Sequence, residues 1–119
     1  MSKQSTVPDR FAPRWLDSLD GRTAVAQDLR ARYEEMTNDL GGAANLSYAQ
    51  RSLVERALHL EFWLRNQEVE LASGKDFDVS RWVQAANSLQ GVFAKLGLER
   101  KAREVPDLQA FIQRREARQ

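Results

Sequence analysis

At 119 residues the chain has room for one hydrophobic core and not for two. Its 42% apolar content, with Trp15, Trp63 and Trp82, is richer than a disordered chain of this charge would carry. Eighteen basic against 17 acidic side chains, +1 overall, exclude a strong global attraction to nucleic acid or to an anionic membrane, and the lack of cysteine excludes disulfides, thiolate nucleophiles and zinc–thiolate sites.

Residues 1–12 are polar, contain Pro8 and read as a flexible arm. They carry no apolar stretch of the kind an export signal needs, and no window approaches the roughly 20 apolar residues of a membrane span, so the expected location is the cytoplasm. A single helical domain is expected over 13–112, with a basic tail over 113–119. Pro13 to Leu19 can make a short helical turn, with Trp15, Leu16 and Leu19 packed on the body or ordered by a partner.

The first main helix is expected from Thr23, a suitable cap, to Leu40, where Gly41-Gly42 ends it. Val25, Leu29, Tyr33, Met36 and Leu40 recur at three- and four-residue steps and share one face. The second helix is the long central one, Ser47 to about Ser73, opened by a capping box from Ser47 to Gln50 and stopped by Gly74. Leu53, Ala57, Leu60, Leu64 and Leu71 form one stripe; Val54, Leu58, Phe62 and Val69 form another beside it. An apolar arc this wide predicts cover on more than one side, in part from another subunit. The third helix should follow a cap at Asp78 or Ser80 and reach Leu96. Its apolar face is Val79, Trp82, Val83, Ala86, Leu89, Phe93 and Leu96, and Gly97-Leu98 reads as a Schellman stop. Pro106 opens a short last helix bearing Leu108, Phe111 and Ile112. No segment alternates with period two. The expected fold is all-α, a small bundle of three main helices with short terminal ones.

His59 is the chain's one histidine, and with no cysteine present it cannot gather the three or four donors of a zinc site. The residue three before it is Arg56, so the Glu-x-x-His element of di-iron bundles is absent. Arg51-Glu55 and Glu61-Arg65 read as ordinary i, i+4 surface pairs. Gly41-Gly42 lacks the Lys-Ser/Thr of a phosphate-binding loop. No enzyme and no cofactor are expected.

Basic residues near rings are the remaining signal. Arg10-Phe11-Ala12-Pro13-Arg14-Trp15 mixes two arginines with two aromatics, and Arg100, Lys101, Arg103, Arg114 and Arg115 crowd the C-terminal end. These last five are the candidate anion contacts, each neutralised phosphate adding to a salt-dependent affinity. The plainer reading is a solvated helix end with cations near its C-terminus. His59, Phe62 and Trp63, on the long helix, are the candidate subunit contacts.

Four phrases carry a resemblance: Arg14-Trp15-Leu16; Leu46-Ser47-Tyr48-Ala49-Gln50-Arg51-Ser52-Leu53; Trp82-Val83-Gln84-Ala85-Ala86-Asn87-Ser88-Leu89; and the stretch from Leu96 to Leu108. Together they resemble the small-terminase proteins of tailed phages, prophages and phage-like gene transfer agents. The resemblance implies a ring-forming homo-oligomer that engages double-stranded DNA and regulates a large terminase subunit, which carries the catalysis. Many such proteins have an N-terminal helix-turn-helix. This chain does not, so sequence-specific reading of DNA is not implied. The alternative is a helical adaptor or inhibitor that binds protein alone.

Overall fold

Each main helix begins at a side chain suited to cap it. In the computed structural model, which describes residues 3–97 and Glu99, α1 spans Ala24–Asp39, α2 Tyr48–Ala72 and α3 Val79–Leu96. Thr23 accepts from the Ala26 amide at 3.2 Å, and Asp78 from the Arg81 amide at 3.1 Å. Ser47 and Gln50 satisfy each other's backbone reciprocally, at 3.1 and 2.9 Å. Each bond meets an amide that the first helical turn leaves unpaired.

The helix ends follow the same logic. Gly41 and Gly74 stand just past α1 and α2 with φ of 110° and 79°. Gly42 donates to Thr37 and Lys75 to Glu70, while Gly41 and Gly74 donate to Asn38 and Leu71. Both are Schellman stops, and both need a backbone that L side chains resist. The stop expected at Gly97 differs. Its φ is 90° but its ψ is 139°, outside the left-handed helical pair, and its amide closes one last bond to Phe93. Leu98 and the short helix expected after Pro106 lie outside the described residues.

Among the described residues there is no strand, only an isolated backbone bridge between Gln4 and Leu19. The fold is all-α. α2 is its axis. Leu58 and Leu96 line one groove and Leu64 and Leu89 the next, so α3 runs back along α2 antiparallel to it. α1 also packs on α2, and the two share a groove lined by Asp28, Leu29 and Arg32 on one side and Leu58 to Glu68 on the other. The core gathers Leu29 of α1 and Leu40 just past its end, Val54 and Leu58 of α2, and Leu96 of α3, with Trp15, Leu16 and Leu19 from the N-terminal segment. A 3₁₀ turn, Leu16–Ser18, delivers those last three. Their core role was one of the two expectations for that turn.

The N-terminal arm needs correction. Residues 3–11 lie against the body rather than free of it. Gln4 donates to the Ser18 carbonyl at 2.9 Å and accepts from Asp20 at 2.6 Å. Lys3 reaches the Asp17 carbonyl. Val7 and Phe11 pack on the core. Polar composition and Pro8 hid two apolar anchors, and backbone pairing with a distant segment leaves no trace in local pattern.

Candidate interaction surfaces

The N-terminal segment settles the environment of His59. This side chain is 8% exposed, with Nε2 2.8 Å from the Pro8 carbonyl. A carbonyl only accepts, so Nε2 carries the proton of that bond. Trp15 and Phe11 set their rings nearly perpendicular to the imidazole, with centroids at 5.4 and 6.0 Å. Trp15 in turn donates to the Glu55 carbonyl at 3.2 Å. His59 thus has its partners inside its own chain. Phe62 also packs on the core. Trp63 is half-buried and shares a groove of about 390 Å³ with Val7, Pro8, His59 and Phe62. The three expected contact residues come together, but under the chain's own N-terminal segment.

The Arg10-to-Trp15 phrase divides by side. Phe11 and Trp15 turn inward, while Arg10 and Arg14 stay exposed. Arg56 of α2 lies over the Phe11 ring, 4.0 Å from its centroid, a cation–π contact that also pins the segment. Arg14 takes a φ of 61°, and its backbone near the Glu55 carboxyl favours the anion. Burial nonetheless raises the Glu55 pKa, with Asp17 nearby adding to the rise. The candidate anion contacts Arg100, Lys101, Arg103, Arg114 and Arg115 lie outside the described residues.

A second surface was missed by pattern alone. α2 has 25 residues and α1 only 16, a difference of roughly 14 Å at 1.5 Å per residue. Among the described residues, α2 and α3 therefore continue past α1 as a two-helix hairpin. There Val69 and Val79 are 60% exposed, Leu71 51% and Val83 42%. Of α3 only Leu96 is fully buried. At the turn, Trp82 leans on Phe77 with centroids 6.3 Å apart, and its indole N–H is buried without an acceptor. An unpaired donor of that kind costs about 1–3 kcal/mol. Val69, Leu71, Val79 and Val83 all belong to the apolar stripes read from the sequence, where the α2 arc was expected to be covered in part by another subunit; the inequality of helix lengths is the signal that sets these four at the surface.

The third surface is a groove of about 320 Å³ where the C-terminal ends of α1 and α3 meet the middle of α2. Glu61 borders it half-buried, and burial raises its pKa against the opposing pull of Arg32. That arginine stands 4.0 Å away and is bonded more closely, at 3.0 Å, to Asp28. The i, i+4 partner expected for Glu61, Arg65, is not its ion pair in the structure.

Among the described residues no group of three or more His, Asp or Glu side chains could hold a metal ion. No described helix is long and apolar enough to cross a membrane.

No protein-family model, curated protein or solved structure matches the chain. Function therefore has to come from these surfaces and from the sequence phrases.

Proposed function

We propose that the chain is a non-catalytic DNA-packaging protein of the small-terminase type. It acts as a homo-oligomer in the host cytoplasm, meets double-stranded DNA non-specifically through its basic C-terminal residues, and regulates a large terminase subunit. The observation that carries the oligomer is the bare hairpin tip. Four exposed aliphatic side chains, Val69 and Leu71 on α2 and Val79 and Val83 on α3, flank the turn of this hairpin, and exposed apolar surface gathered at one end of a fold is what a protein contact covers. The sequence phrases supply the packaging context. The overall charge of +1 makes any DNA contact local, and so strongly dependent on salt.

Native mass spectrometry should find multiples of the 13.6 kDa subunit. Retention of duplex DNA should be present at about 50 mM salt and largely lost by about 200 mM. The near-balanced charge also favours a competing role as a protein-only adaptor. An oligomer that retains no DNA at low salt but captures a defined protein partner would select that role instead.

A further inference from the structure

The groove at the ends of α1 and α3 has an apolar lining that includes Met36, Phe93 and Leu96. Its border is acidic: among the described residues Glu35, Glu61 and Glu99 face it, with Arg32 as the cation. Glu61 is the most exacting of these. It is half withdrawn from water, and Arg32 is 4.0 Å away and shared with Asp28, so a second cation at this spot would stabilise it.

The chain itself supplies a complementary ligand, tethered at the mouth. Gly97 and Glu99 both line the groove, so residues 100–119 leave from its edge. This segment has six basic side chains and three acidic ones. Between its two basic clusters stand Leu108, Phe111 and Ile112, at a spacing that shares one helical face. The eight residues between Glu99 and Leu108 can span up to about 30 Å, enough to turn back across a groove bounded by two helix ends. A short tether also holds the local concentration near the millimolar range.

We propose that the C-terminal segment of the same chain docks in this groove, with Leu108, Phe111 and Ile112 on the apolar lining and its arginines on the acidic border. The docking itself is independent of DNA. Only its consequence rests on the functional reading above: arginines seated on Glu35 and Glu61 are withheld from phosphate, so the groove would restrain DNA contact until a partner displaces the segment.

The absence of native cysteine makes the test direct. A nitroxide attached to full-length protein at Gln113→Cys should remove most of the amide NMR intensity of Met36, Phe93 and Leu96, relative to the reduced label. Broadening confined to the sequence neighbours of residue 113 would overturn the proposal. Spin-labelled, isotopically unlabelled protein mixed with label-free ¹⁵N protein should leave those amides sharp; if they broaden, the segment comes from a second copy and the assignment to the same chain fails. Adding Glu35→Lys, at an exposed position, should restore much of the lost intensity, and unchanged broadening would remove the charge pairing from the account. No DNA enters the readout, so a chain that binds none still gives an answer.

Discussion

Glu55 shows how one residue can hold a structure together while working against its own charge. Its backbone carbonyl accepts from the Trp15 indole, while burial pushes its carboxyl pKa above the ordinary 4.5 against the opposing pull of the nearby Arg14 backbone. A carboxyl whose folded pKa exceeds the unfolded one makes the folded chain bind protons more readily. Stability referred to this group then rises as pH falls from neutral through the folded pKa, and levels off below about 4.5. Glu55→Gln keeps an oxygen near the Arg14 backbone and removes the titration. Wild type should therefore gain melting temperature relative to this variant on acidification from pH 7 to about 4.5. A loss over that window would mean that Glu55 is stabilised as the anion. His59 carries the complementary lesson about legibility. Its sequence neighbours suggested a surface or interface histidine, because its real partner, Pro8, is 51 positions away. Nothing within a helical turn of His59 announces that contact.

Elements were most legible where local chemistry decides them. Thr23, Ser47, Asp78, Gly41 and Gly74 act as caps and stops because each satisfies a backbone group within four residues of itself. Ser47→Ala should lower stability by about 1 kcal/mol in urea unfolding, the usual worth of such a cap; no change would mean that the capping box contributes nothing in solution. The N-terminal segment was illegible for the opposite reason. Its anchors are tertiary, and they hold it down at Gln4, Val7, Pro8 and Phe11. Phe11→Ala removes contacts with His59, Arg56 and the core. The ring is half-buried, so the expected loss is about 1–2 kcal/mol, below the ~3–5 of a fully buried phenylalanine. A free arm would show no loss at all.

At the scale of the molecule, an α-helical architecture could be read from periodicity, but its unevenness could not. Stripes on α2 and α3 record which side chains are apolar and not how far the covering helix extends. Once α1 stops short, Val69, Leu71, Val79 and Val83 pass from core to surface without any change in pattern. A surface of that kind is satisfied by association: a second hairpin laid against the first would cover it. Charges introduced there should be harmless to a monomer, where exposed substitutions usually shift stability by no more than about 0.5 kcal/mol, and costly in an assembly that buries them. Light scattering of wild type and of the double variant Val69→Glu/Val83→Glu, at matched micromolar concentration and with circular dichroism to verify equal helicity, tests this most directly. Wild type should be an oligomer and the variant a folded 13.6 kDa monomer. A monomeric wild type, or a variant that assembles unchanged, would contradict association through this surface.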